Sequence, residues 1–394
     1  MKALLGAFGD PGHAFPMIAL GRALVARGHE VTLETAGRWR GDVEAEGMRF
    51  APAPEYPTFP TRERPLKPYE AVVLAVGETQ PLVEETRPDI VVHDILTLAP
   101  ALAAERLGVP VATLIPHVDP RTAPGAPPYS TGARLARTGF GRRAWSVMRR
   151  LTDRGLEQGR DELNETRRRL GLDPLGYVHG GISRRLALVA SFPQLEYPRP
   201  PEPATHVIGP LMWEPPFPAV DLPPGDGPLV LVAPSTAQDP AQRLLGNALA
   251  GLERVEGVRV IATWNRRPPP FELHETPNTR VVEWLSYSRT MPLCDAVICH
   301  GGHGTLVRAL SCSCVPVTVP DGGDQGENAA RIEWAGAGVR VPRRFAGPGA
   351  LAAATGLALD DRQLRDRVEE LARWEAGNDA GDRAVDLLER TVAG

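Results

Sequence analysis

Short apolar runs alternate with longer amphipathic stretches through two long segments of the chain, the pattern of parallel strands joined by crossover helices. In the first segment strands are expected near residues 3–7, 30–34, 49–51, 90–93 and 111–115. In the second they are expected near 229–233, 259–262, 280–283, 296–299, 315–319 and 338–341. Between the two lies a run containing Pro210, Pro215, Pro216, Pro218, Pro223, Pro224 and Pro228, a semi-rigid connector that cannot be helical. A chain of 394 residues exceeds what one hydrophobic core usually supports. The expected class is therefore α/β, with two doubly wound parallel sheets facing a central cleft. The expected divisions are a first domain at 1–208, a connector at 209–228, a second domain at 229–375 and a terminal helix at 376–394. Asp379 is placed to cap that helix after the break at Gly377 and Gly381.

Charge excludes several partners. With 44 basic and 48 acidic side chains, and a formal net charge of -4, nothing global favours nucleic acid or an anionic surface. The apolar start from Met1 to Phe8 is too short for a signal peptide and is soon broken by Gly9-Asp10-Pro11-Gly12, and no stretch is long enough to cross a bilayer. A cytoplasmic enzyme without integral membrane contact, monomeric or homodimeric, is expected. Cys294, Cys299, Cys312 and Cys314 fit no zinc spacing and read as buried thiols. Arginines crowd residues 134–185, but apolar residues at helical spacing and acids such as Asp161, Glu162 and Glu165 make solvated helix faces the better reading than nucleic-acid binding. A weak membrane-surface contact stays open there.

The densest chemistry lies between His300 and Gln325. The apolar strand 296–299 runs into His300-Gly301-Gly302-His303-Gly304-Thr305, and a helix is expected from Leu306. Free amides at a helix start attract a diphosphate, and glycines let its oxygens approach closely. His300 adds a donor and Thr305 a hydroxyl. A second buried strand, 315–319, leads to Pro320-Asp321-Gly322-Gly323-Asp324-Gln325 at its carboxyl end, where open α/β sheets bind ligands. Asp324 accepts from hydroxyls and Gln325 both accepts and donates, which suits a sugar; capping of the next helix is the plainer role for both.

This block resembles the donor-binding signature of the GT-B glycosyltransferases of family 1. The resemblance implies that His300 and Thr305 hold the donor diphosphate with Gly301, Gly302 and Gly304, and that Asp324 and Gln325 hold the donor sugar. It also implies that Trp284, beside Leu285, stacks on the nucleobase, and that the last helix crosses back onto the first domain. Two positions depart from the pattern: Arg308 stands where a ribose-gripping Glu is frequent, and Tyr287 where Gln is. Loss of that acceptor favours a deoxyribonucleotide donor such as a dTDP-sugar over a UDP-sugar; alternatively Arg308 turns toward phosphate. Ser235 and Thr236, after the first strand of the second domain, are further phosphate candidates, with ordinary turn chemistry as the alternative.

In the first segment, Gly6 to Pro16 joins strand to helix without the G-x-G-x-x-G spacing of a dinucleotide site, so no NAD is proposed. Gly12-His13 followed by Pro16 matches the family's catalytic histidine, and the helix start is expected to disfavour the imidazolium. Asp94, ending the strand 90–93, is the expected orienting acid, with Asp119 as a fallback. His93 and His117 are acceptor-pocket candidates. The implied reaction is inverting, metal-independent transfer of a sugar from a nucleotide-diphosphate donor to a hydroxyl of a small lipophilic acceptor. His13 is the base, and no cofactor is needed beyond the donor as co-substrate. The competing readings are a non-catalytic nucleotide-sugar-binding partner and, less favoured, a nucleotide-sugar epimerase.

Overall fold

The structure, a computed structural model, describes residues 1–56, 68–235, 239–273 and 276–394. It contains two all-parallel sheets. The first comprises β1 (Lys2–Gly6), β2 (Glu30–Thr35), β3 (Arg49–Pro52), β4 (Ile90–Asp94), β5 (Val111–Ile115), β6 (Ala187–Val189) and β7 (Thr205–Val207), in the order β3-β2-β1-β4-β5-β6-β7. The second comprises β8 (Leu229–Ala233), β9 (Arg259–Thr263), β10 (Thr279–Val282), β11 (Ala296–Cys299), β12 (Val315–Thr318) and β13 (Val339–Arg340), in the order β10-β9-β8-β11-β12-β13. Central strands such as β4, β8, β11 and β12 are buried along their whole length, as expected of strands covered by helices on both faces. Every strand expected from the sequence is present. β6 and β7 were not anticipated: each has three residues, and the prolines that follow β6 break any recognisable period.

The helices are α1 (Pro11–Ala26), α2 (Arg40–Ala45), α3 (Pro68–Thr86), α4 (Leu98–Arg106), α5 (Gly139–Arg169), α6 (Arg243–Leu252), α7 (Tyr287–Thr290), α8 (His303–Ser311), α9 (Gln325–Trp334), α10 (Pro348–Asp360), α11 (Arg362–Ala376) and α12 (Ala380–Ala393). Pro11 stands at the start of α1, where its missing N–H costs nothing. Thr138 caps α5 by accepting from Gly141 N at 3.1 Å, and Asp379 caps α12 by accepting from Asp382 N at 2.9 Å.

The two cores are not built from contiguous halves of the chain. The first contains Leu5, Ile18, Leu33, Val92 and Leu114, together with Leu211 and Trp213 of the proline-rich segment and Ala384, Val385 and Leu388 of α12. α12 thus lies on α1, with Gly381 against Ala23 and Arg27 facing Asp386 at 3.0 Å and Glu389 at 3.1 Å. The second core gathers the β8–β13 sheet and takes in Val118, Phe192 and Leu195 from the first segment.

Polar contacts join the sheets along α8 and α9. Arg331, only 3% exposed, reaches Glu196 at 3.0 Å and the Leu195 carbonyl at 3.1 Å while holding Glu327 at 2.8 Å. His303 Nε2 donates to the Ala190 carbonyl at 3.1 Å, and burial pushes this imidazole down to about 4, so it is neutral. Gly132 lies backbone to backbone against Gly326, where an added Cβ would sit 3.0 Å from the main chain.

Candidate active site

Strand order explains why the predicted groups meet. In each sheet the order reverses once, between β1 and β4 in the first and between β8 and β11 in the second. At such a point the two following loops turn to opposite faces and leave a crevice at the strands' carboxyl ends. His13 follows β1 and Asp94 ends β4; Ser235 follows β8 and His300 follows β11. Both sets therefore stand at a crevice.

His13 Nδ1 lies 2.7 Å from Asp94 Oδ1. The Asp94 side chain is fully buried, whereas that of His13 is 18% exposed. Asp94 Oδ1 also accepts from Leu96 N at 3.0 Å, and Oδ2 accepts from Phe8 N at 2.8 Å and the Thr97 hydroxyl at 2.7 Å. Burial alone would raise this carboxyl, but His13 and the two amides bring it below the usual carboxylate value. With Nδ1–H donated to Asp94, His13 presents Nε2 as the acceptor. The electrostatics differ from the sequence expectation. Burial lowers the His13 imidazole, but Asp94, aided by Asp10 and Asp324, more than offsets this and holds it above the usual value. The carboxylate in direct contact outweighs the partial charge of the helix start.

Asp324 is near enough for its charge to contribute to the His13 shift. Its field also reaches His117, Tyr129, His300 and His303. Asp324 makes no side-chain cap for α9; instead its Oδ2 accepts from Asn328 Nδ2 at 3.0 Å, and the same amide donates to the Gly301 carbonyl at 3.1 Å. Asn328 thereby ties the glycine turn to the acid–amide pair, a role nothing in the motif signalled. Gln325 is buried, with its Oε1 accepting from Asp321 N at 2.9 Å and shaping its own loop.

The helix after the glycine turn begins at His303, three residues ahead of the expected Leu306, because Gly302 takes the extended N-cap conformation. The amides of His303, Gly304 and Thr305 thus form the first turn and have no intrahelical acceptor. Gly301 has φ +86°, and a Cβ there would sit 3.3 Å from the Gln325 carbonyl. Beside this turn a cavity of about 640 Å³ is lined by Ser235, Arg243, His300, Asp321, Arg343 and Arg344 among others. Arg343 pairs with Asp321. Arg243, at the start of α6, and Arg343 and Arg344 escaped sequence reasoning because no motif marks them. Thr236 lies outside the described residues.

Trp284 carries the Arg266 guanidinium 4.8 Å from its ring centre, while the Leu285 side chain is buried in the second core. Arg308 turns toward the proline-rich segment. Its Nε lies 4.0 Å from Glu214 of the proline-rich segment, whose other oxygen accepts from Ser288 N at 2.9 Å and the Ser288 hydroxyl at 2.6 Å.

Two of the acceptor-side expectations are corrected. His93 is 1% exposed, with Nδ1 against the Asp94 and Thr97 carbonyls and Nε2 against the Thr113 hydroxyl at 2.8 Å; it holds the strand end together and has no nitrogen left for an acceptor. Asp119 is saturated by Arg121 at 2.6 Å and Arg199 at 2.8 Å and cannot serve His13. His117 is stacked on Tyr129 with ring centres 6.0 Å apart, its Nδ1 lies 2.7 Å from the Val118 carbonyl, and burial lowers it. Phe8 and Leu96 went unnoticed in the sequence. Their amides hold Asp94 while their side chains are 47% and 58% exposed, so two bare apolar groups flank the His13–Asp94 pair.

A family model described as erythromycin biosynthesis protein CIII-like, C-terminal domain, matches residues 248–387. A Glycosyltransferase Family 4 model matches residues 17–185. The 4'-demethylrebeccamycin synthase of Lentzea aerocolonigenes is 28% identical over 427 residues, covering 99% of both chains. The O-mycaminosyltylonolide 6-deoxyallosyltransferase of Streptomyces fradiae is 28% identical over 425 residues, covering 99% of this chain and 97% of that one. Among solved structures, the glycosyltransferase of kitacinnamycin superposes with a TM-score of 0.76 at 21% identity, covering 99% of this chain and 98% of that one. A spinosyn rhamnosyltransferase complexed with thymidine diphosphate superposes with a TM-score of 0.72 at 21% identity, covering 99% of this chain and all of that one.

Proposed function

We propose that this chain, a glycosyltransferase of the GT-B fold, inverts the donor's anomeric centre while moving its sugar to a hydroxyl of a small lipophilic acceptor. The observation that carries the reading is the 2.7 Å His13–Asp94 pair set at one strand-order reversal, with Asp324 near enough for its charge to reach His13.

In this mechanism His13 Nε2 takes the acceptor's hydroxyl proton as that oxygen attacks the anomeric carbon. The bond from that carbon to the diphosphate oxygen breaks, and the electron pair leaves with the diphosphate. Asp94 stabilises the resulting imidazolium. Negative charge growing on the leaving group is met by the amides of His303, Gly304 and Thr305, the Thr305 hydroxyl and His300. Asp324 and Gln325 hold the sugar, and Trp284 stacks on the base. Phe8 and Leu96 supply an apolar platform beside the base, which favours a lipophilic acceptor. With Arg308 turned to Glu214, no acidic side chain on α8 is offered to a ribose 2′-hydroxyl. A dTDP-sugar is accordingly the preferred donor, and a structural neighbour is known with thymidine diphosphate bound.

The test combines donor binding and turnover. dTDP is expected to raise the melting temperature of the purified protein more than UDP does. His13→Ala is expected to retain that rise and lose transfer to weakly acidic hydroxyls. Unchanged transfer by His13→Ala refutes the base assignment; equal or larger stabilisation by UDP refutes the donor preference. Transfer by the chain alone excludes a non-catalytic partner role.

A further inference from the structure

We propose that the amino-terminal half of α5 is a docking face for an anionic lipid bilayer. α5 is two different helices in one. Its second half is anchored: Leu163, Thr166 and Arg167 are buried, and Arg167 grips Glu105 through two contacts of 2.7 and 2.6 Å. Its first half stands out. Phe140 is 85% exposed, Val147 63% and Met148 44%, and Ala144 is exposed with them. At about 100° per residue, these four share one stripe of the helix, which no other element among the described residues covers.

Charge identifies the occupant. Residues 137–154 contain six arginines and a single acid, Asp153. That acid is shared with Arg149 at 3.9 Å. Arg143, Arg150 and Arg154 are exposed, have no ion-pair partner among the described residues, and project along one edge of the apolar stripe at the same helical spacing. A phenylalanine-led apolar face bordered by unpaired arginines is the arrangement by which a helix lies in a membrane interface, apolar side under the headgroups and cations on the phosphates. An apolar protein surface would leave those guanidiniums without counter-charge. Because the chain's net charge is -4, the attraction is local to this helix. No helix among the described residues is long and apolar enough to cross a membrane, so the contact is peripheral. The loop carrying Tyr129 and Gly132 runs directly into the Thr138 cap. A bilayer on this face would therefore lie next to the acceptor side of the cleft, and this corollary alone depends on the function proposed above.

The experiment is co-sedimentation of the full chain with vesicles of phosphatidylcholine alone and of phosphatidylcholine mixed with phosphatidylglycerol. Binding is expected only to the anionic vesicles and is expected to weaken as salt rises. Each arginine near the surface strengthens partition roughly five-fold, so the triple variant R143E/R150E/R154E is expected to bind at least about a hundred-fold more weakly. Phe140→Asp with Val147→Asp should abolish binding. dTDP-induced stabilisation reports that each variant is folded; if none of them responds to dTDP, far-UV circular dichroism and the melting temperature serve instead. Equal binding to neutral vesicles, binding unaffected by either variant, or a concentration-dependent dimer that Phe140→Asp dissociates would each overturn the proposal. The last would assign the face to a second copy of the chain.

Discussion

Replacing Asp94 by Asn keeps the heavy-atom count and nearly the volume, yet the structure assigns it a specific failure. Oδ1 accepts from His13 Nδ1 and Leu96 N, and Oδ2 from Phe8 N and the Thr97 hydroxyl. An amide can keep only one of these sides. If its oxygen stays with His13 and Leu96, the NH₂ meets the Phe8 amide, and one buried N–H loses its acceptor at a cost of about 1–3 kcal/mol. If its oxygen takes the other side, Leu96 N is orphaned and His13 Nδ1 must accept. The His13 proton then moves to Nε2, where the base is needed. In both cases the imidazolium loses its counter-charge. Loss of a positioned acid–base contribution amounts to roughly 10²–10⁴-fold in kcat, or about 2.7–5.5 kcal/mol of barrier. The assay is transfer at saturating donor across a pH series, with dTDP-induced stabilisation as a control that the second domain is intact. In the native enzyme the acid limb of kcat/KM should lie above the usual histidine value, since His13 is raised, and Asp94→Asn should move it lower. If the variant keeps kcat within about three-fold of the native enzyme while binding dTDP normally, His13 and Asp94 are not the catalytic pair.

Glu34 is 3% exposed, accepts from the Thr79 hydroxyl at 2.8 Å, and is pushed up to about 7 by burial. Its folded form holds a proton that the unfolded chain releases near pH 4.5, so its stabilisation is lost as pH rises through 7. Glu34→Gln should match the native stability at pH 5 and exceed it at pH 8 by up to about 3 kcal/mol, read as a higher melting temperature; an equal difference at both pH values refutes this. His303 is held down to about 4, so the unfolded chain takes up a proton there first and stability falls as pH drops from 6.5 toward 4. His303→Gln should shrink that fall, measured by thermal denaturation, and a fall of undiminished size would refute the burial argument. Gly301→Ala, forced to φ +86° and toward the Gln325 carbonyl, should lose about 1–2 kcal/mol and most of the dTDP-induced shift; full retention of both would show that the turn tolerates a side chain.

The parallel sheets were legible because their central strands are buried on both faces and so read as unbroken apolar runs between glycines and prolines. β6 and β7 were not, since a three-residue strand defines no period and is fixed by its neighbours. The residues at both strand-order reversals could be named because glycine, histidine and carboxylate cluster at strand ends for reasons local to those loops. What escaped was set by distance through space. Asn328 lies 27 positions beyond the Gly301 carbonyl it holds, and Arg308 is turned aside by Glu214 from the proline-rich segment. His93 and His117 look alike in sequence, each following a strand's apolar run. Only the Thr113 hydroxyl and the Asp94 and Thr97 carbonyls around His93 withdraw it from the cleft.

Arg331 sets a rule for recombining transferases. It is buried against Glu196 and the Leu195 carbonyl, so the second domain carries a cation whose counter-charge is encoded before the proline-rich segment. A chimera cut within that segment, with its first half taken from a relative lacking an acid at this place, would strand a guanidinium with only Glu327 to answer it. Leaving a buried pair half-made typically costs about 3–5 kcal/mol. A crossover placed upstream of Ala190 would carry the His303 acceptor, Leu195 and Glu196 along with the second domain and keep the Arg331 pair whole, at the expense of parting Arg199 from Asp119.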